Sequence, residues 1–155
     1  MWKTLQRYRA LDANARKLFW RAASLLISIN VSLRLRGFSK TKEALQKRLS
    51  HNPRAESLGN SAAETVQKTC RMVKAAAHYG VVRPTCLTES LALWCLLREE
   101  GVPSQLRIGV RILAEKFEAH AWVEHQGAAL NQSEEVHPHY AAFDRGFADL
   151  PGEKF

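Results

Sequence analysis

The chain has 155 residues, enough for one domain with a real core, and its apolar fraction of 46% excludes a polymer disordered by composition. Its formal net charge of +8 favours acidic partners, but does not choose among nucleic acid, an anionic membrane surface and an acidic peptide. The three cysteines, Cys70, Cys86 and Cys95, are odd in number and have no C-x-x-C spacing, which argues against a disulfide framework or a thiolate zinc site and fits a reducing compartment.

The N-terminus begins Met-Trp-Lys and lacks a signal-peptide apolar core with a small-residue cleavage site. Ala22 to Leu33 is apolar but holds Ser24, Ser28, Asn30 and Ser32, short of the roughly 20 apolar residues a span requires. The expectation is a cytoplasmic chain without stable membrane insertion. Asp12 is placed to cap a helix whose Ala15, Leu18, Ala22, Leu25, Ile29 and Leu33 recur in three- and four-residue steps. Arg34 and Arg36 suit its last turn, and Gly37 is a natural stop. A short helix is expected over Thr41 to Leu49, then a linker from Ser50 to Gly59 carrying Pro53.

Ser61-Ala-Ala-Glu64 reads as a capping box that opens the next helix, with Val66, Cys70, Val73 and Ala77 on its buried stripe and Gly80 at its end. Pro84 keeps Arg83 extended. A further helix starts near Thr85 or Cys86 and runs to about Glu100. Its Leu87, Leu91, Leu93, Trp94, Leu96 and Leu97 surround much of its circumference, the pattern of a central helix. Gly101 and Pro103 end it. The period then changes: Leu106, Ile108, Val110 and Ile112 alternate with polar residues or glycine, giving a half-buried strand, and a second strand covers about Phe117 to Glu124. A turn at His125-Gln126-Gly127 leads to a third strand from Ala128. Helices followed by an antiparallel sheet make the chain α+β. The tail from Val136 has little periodicity.

Cys86 is the first chemical candidate. A helix N-terminus offers unsatisfied N–H groups and a partial positive charge, both of which stabilise a thiolate, the attacking species in acyl transfer. Cys70 and Cys95 lie on apolar helix faces and read as core residues. His120 is the second candidate, on a strand between Ala119 and Ala121, sharing a face with Trp122 and Glu124. A cysteine at a helix start and a histidine on a downstream strand is the pair a Cys–His nucleophile needs.

A third group should orient the imidazole, and the hairpin register selects it. A three-residue loop, 125–127, sets His120 opposite Gln132. A two-residue loop, 126–127, sets Asn131 opposite Trp122 and diagonal to His120. The three-residue loop is preferred, since Gln-Gly is not a favoured two-residue turn.

Pro84-Thr-Cys-Leu-Thr-Glu-Ser-Leu-Ala-Leu-Trp94, Leu96-Leu-Arg-Glu-Glu-Gly101, Ile108-Gly-Val-Arg111, Ala119-His-Ala-Trp-Val-Glu124 and Leu130-Asn131 together resemble the lasso-peptide biosynthesis B-type proteins. These are transglutaminase-like leader peptidases similar to the microcin-processing enzyme. The resemblance is close from about Ala62 to Asn131. It implies a transglutaminase-like, papain-like cysteine peptidase fold, with an N-terminal helical region over 1–60 and a peptidase core over 61–155 in one compact domain.

The resemblance carries the family's cysteine onto Cys86 and its histidine onto His120. The family's acid falls at Gln132, which is not acidic, so the third role rests among Gln132, Asn131, Glu134 and Glu135. The resemblance also implies a precursor peptide, bound through its leader, as substrate. The region before Ala62 is too short and too helical for the winged-helix leader-binding domain that family members often carry. A separate winged-helix leader-recognition protein and an ATP-dependent lasso cyclase are therefore expected partners, with no cofactor, metal or nucleic acid.

Three rival readings remain open to test. His137-Pro-His139 with His120 or His125 is a poor match to any zinc motif. The basic residues Lys17, Arg21, Arg34, Arg36, Lys40 and Lys42 allow a non-catalytic module binding a peptide or a membrane surface. The same Cys and His would also serve amide transfer or deamidation.

Overall fold

The structure, a computed structural model, describes residues 12–50, 62–113, 116–131 and 141–142, with side chains left aside at 111–117 and 141–142. Among these residues, three helices precede the sheet: α1 (Ala13–Ser50), α2 (Ala62–Tyr79) and α3 (Cys86–Glu99). Four strands follow: β1 (Gln105–Leu113), β2 (Lys116–His125), β3 (Ala128–Ala129) and β4 (Ala141–Ala142). They form one antiparallel sheet in the order β3-β2-β1-β4. The α+β class expected from the sequence is the one observed.

The helix ends follow local chemistry. The Asp12 carboxylate accepts from the Ala15 N–H, which caps α1. Gly37 has φ 76° and ψ −178°, a conformation open essentially only to glycine, and it breaks α1 into two halves. The second half is the short helix expected from Thr41. Thr41 Oγ1 donates to the Gly37 carbonyl at 2.7 Å and lies 2.8 Å from Ser32 Oγ, so hydroxyls satisfy polar groups at the break. Gly80 closes α2, where a Cβ would stand 2.4 Å from the Ala76 carbonyl oxygen. Gly101, with φ 77°, closes α3. Ser61 and the expected linker at 51–59 lie outside the described residues.

The core gathers around α3. Its residues from Leu91 to Leu97 are all buried, packed on Ala22, Leu25, Leu26 and Ile29 of α1 and on Met72, Val73 and Ala76 of α2. Val102, Leu106 and Val123 bring the sheet to the same cluster. Burial of each large aliphatic side chain contributes about 1.5–3 kcal/mol, and α3 is the element on which the other helices and the sheet converge to provide it.

A polar clamp ties the far end of α3 to both halves of α1. Glu99 is only 5% exposed, and its carboxylate accepts from Arg21 at 2.9 Å and from Arg48. Arg21 also reaches Glu100 at 2.8 Å. A buried carboxylate is tolerated because two guanidinium groups donate to it.

One expectation about the sheet needs correction. The hairpin pairs His125 with Ala128 and Glu124 with Ala129, so its loop is the two residues Gln126-Gly127, not three. Both have positive φ, 51° and 80°, as a two-residue hairpin turn of this hand demands. In the tail, Ala141–Ala142 pairs with Gly109 and Val110 of β1.

Candidate active site

Cys86 is the first helical residue of α3, and it is exposed. Thr85 is the N-cap, extended at φ −77° and ψ 166°, which turns the incoming chain into the helix axis. Its hydroxyl accepts from the Thr88 N–H at 3.3 Å, and its carbonyl accepts from the Glu89 N–H at 3.0 Å. Those two donors are thus occupied. The N–H groups of Cys86 and Leu87 have no acceptor among the described residues. The exposed sulfur therefore sits beside two backbone donors at the positive end of a helix dipole.

The other two cysteines are set apart by burial. Desolvation pushes the Cys70 thiol up to about 11. The Cys95 thiol is pushed up to about 12, by desolvation first and then by the Glu99 carboxylate beside it. Neither supplies thiolate near neutral pH. Among the three cysteines, Cys86 alone is exposed.

His120 is half-buried in the middle of β2, directly opposite Gly109 of β1, which presents no side chain to it. Its ring stacks on Trp122, with centroids 6.2 Å apart and planes 20° from parallel. Trp122 is fully buried and is itself held: its Nε1 donates to Glu124 Oε1 at 2.8 Å, and Glu124 Oε2 lies 3.5 Å from Arg107 Nε. The face expected for His120, Trp122 and Glu124 is thus a linked row, and the indole plane restrains the tilt of the imidazole.

A buried polar bridge joins the start of α3 to this strand. Ser90 stands one helical turn beyond Cys86 on the same side of α3. Its Oγ donates to the carbonyl of Ala121, next to His120, at 2.9 Å. Asn131 Nδ2 donates to the same Ser90 Oγ at 2.8 Å, and Asn131 Oδ1 accepts from the Val123 N–H at 2.8 Å. The amide orientation follows from its partners, since a backbone N–H can only donate and must face the oxygen. Leu130 N–H donates to the Val123 carbonyl at 2.9 Å. Asn131 then leaves the ladder, and its side chain takes the place of a strand carbonyl.

The structure thus joins Ser90 of α3 to β2 through Ala121 and Asn131; Cys86 lies one turn before Ser90 on α3, and His120 precedes Ala121 in β2. Gln132, Glu134, Glu135, His137 and His139 lie outside the described residues. Among the described residues, no group of His, Cys, Asp and Glu is arranged to hold a metal ion. Sequence reasoning gave Ser90 no role and missed the Glu99 clamp. A serine and a glutamate at buried positions of an otherwise apolar helix were the available signal.

No curated protein and no solved structure matches the chain. The family model of the Transglutaminase-like superfamily matches residues 25–143, which takes in the second part of α1, all of α2 and α3, and the sheet. By that match, the chain belongs to the transglutaminase-like superfamily.

Proposed function

We propose that this protein is a cysteine peptidase that removes the leader from a lasso-peptide precursor, with Cys86 as nucleophile and His120 as acid and base. The observation that carries the reading is the exposed Cys86 at the capped mouth of α3, bridged through Ser90 to the carbonyl next to His120. The motif resemblance around both residues supplies the substrate class.

In this reading the Cys86 thiolate attacks the carbonyl carbon of the last leader residue. The C–N bond breaks, and His120 delivers its proton to the departing amine, which becomes the N-terminus of the core peptide. A thioester to the leader remains on Cys86. Water attacks it, His120 takes the water proton, and the leader leaves as a carboxylate with the thiol restored. The oxyanion of each tetrahedral intermediate is held by the N–H groups of Cys86 and Leu87 at the start of α3. Asn131 acts as a positioning residue, since both ends of its amide already hold Val123 and Ser90. A separate leader-recognition protein delivers the precursor, and a separate cyclase closes the ring.

The test is incubation of a precursor with this protein and its recognition partner, read by mass spectrometry. Cys86→Ala and His120→Ala each abolish release of the leader in this account. Gln132→Ala tests whether that side chain serves the third role. Transfer of the leader to an added amine in place of water would shift the reading to amide transfer at the same pair.

A further inference from the structure

The basic excess of this protein is confined to one end of the sequence. The first 42 residues hold ten basic residues (Lys3, Arg7, Arg9, Arg16, Lys17, Arg21, Arg34, Arg36, Lys40 and Lys42) and one acid, Asp12, a net of +9. The remaining 113 residues hold the other 13 basic and 14 acidic residues, a net of −1. Between Ala13 and Lys42, α1 carries no carboxylate at all.

The same helix is apolar on two opposite sides. One side is the core face already described. On the other, Trp20, Ser24, Ile27, Val31 and Leu35 follow steps of four, three, four and four residues and so line one outward stripe. Trp20 is 61% exposed, Ile27 41%, Val31 48% and Leu35 78%. The stripe runs for about 22 Å along the axis. Arg16 and Lys17 stand at one end, and Arg34 and Arg36 at the other, all exposed. α1 is long and apolar enough to cross a membrane by length and composition, yet only 33% of its most apolar stretch is buried in the protein. Its opposite side packs on α2 and α3, and Arg21 is clamped to Glu99 and Glu100, so the helix is held parallel to the surface of the domain.

A groove of about 460 Å³ extends this surface where the two halves of α1 meet. It shares Val31 and Leu35 with the stripe, continues over Leu25 and Leu45, and has Arg36 at its edge. An apolar strip with cations at both ends, on a stretch of helix (13–42) that carries no carboxylate of its own, matches a layer that is apolar beneath and anionic on top. Arginine and lysine stems reach from such a strip to phosphate while their methylenes stay on the apolar side.

We infer that the outward face of α1 docks the protein on an anionic lipid surface, lying in the headgroup layer without crossing it. An acidic protein partner would supply the charge, but the continuous apolar strip of aromatic and aliphatic side chains flanked by cations favours the lipid layer.

The experiment is flotation of the full chain with vesicles of phosphatidylcholine containing about one quarter phosphatidylglycerol, against vesicles of phosphatidylcholine alone. The protein floats with the anionic vesicles only, and about 0.5 M salt releases most of it. Arg34→Ala and Arg36→Ala each lower the partition about fivefold. Val31→Glu with Leu35→Glu abolishes flotation while the circular dichroism spectrum and melting temperature stay those of the wild type, since both residues are exposed. Wild type that ignores anionic vesicles, or a double glutamate variant that floats undiminished, overturns the proposal. Wild type that ignores vesicles but forms a dimer lost in the same variant overturns it too, by assigning the face to a second copy of the chain.

Discussion

Ser90→Ala is the sharpest structural perturbation of the site, because a single oxygen atom holds the bridge between α3 and β2. Its removal leaves the Ala121 carbonyl without its donor and the Asn131 amide without its acceptor. A buried polar group left unpaired costs about 1–3 kcal/mol. Ala121 is buried and incurs that cost, whereas Asn131 is half-exposed and regains part of its loss from water. The sum is about 2–3 kcal/mol, which lowers the melting temperature by about 5–10 °C in a domain of this size. Asn131→Ala costs a similar amount, because it orphans the N–H of fully buried Val123.

The two residues share one hydrogen bond, so the double variant falls short of the sum of the singles by about 1 kcal/mol. Urea and thermal unfolding followed by circular dichroism give all three values. If Asn131 positions rather than reacts, both single variants also lower kcat at nearly constant KM. Strictly additive effects, or a Ser90→Ala shift below about 1 °C, would refute the bridge.

Native protein treated with iodoacetamide near pH 7.5 is expected to gain one adduct, on Cys86, and three adducts after unfolding, as read by peptide mass spectrometry; equal labelling of Cys70 or Cys95 in the native state contradicts the burial described. The folded thiols of Cys70 and Cys95 are raised from an ordinary 9.0 to about 11 and about 12, so their contribution to stability is complete below about pH 9 and is lost as pH rises through the folded values. Each loses about 1.4 kcal/mol per pH unit above 9 within that window, and Cys95→Ala should flatten the alkaline limb of a stability profile relative to wild type. Gly37→Ala meets no neighbouring atom, but forces an L residue into φ 76°, which should cost about 1–3 kcal/mol in urea titration. A neutral result there would mean that α1 straightens through the break.

Much of this organisation is written locally. Asp12 and Thr85 announce helix starts through capping chemistry, and Gly37, Gly80 and Gly101 announce ends through backbone freedom or close approach. The alternation of Leu106 to Ile112 announces a strand. The place of Cys86 at a helix start was legible because a cap and a cysteine stand side by side in the sequence. The hairpin register was not legible, because turn preference alone argued against Gln126-Gly127. The structure resolves it with contacts from farther away: Leu130 and Asn131 hold Val123, and His125 Nδ1 bonds the Pro103 carbonyl. The roles of Ser90 and Glu99 were hidden for the same reason, since their partners lie 31 to 78 residues distant and no periodicity encodes them. The short β4 pairing escaped because two alanines carry no strand pattern.

Pairing of sulfur with imidazole can be read without any substrate. The rate of carbamidomethylation at Cys86 should be measured at pH 6 in the wild type and in His120→Ala, beside free cysteine as reference. The account predicts that Cys86 outpaces free cysteine and falls at least about tenfold when the imidazole is removed, as a Cys–His ion pair requires. Equal rates in the two proteins would contradict it.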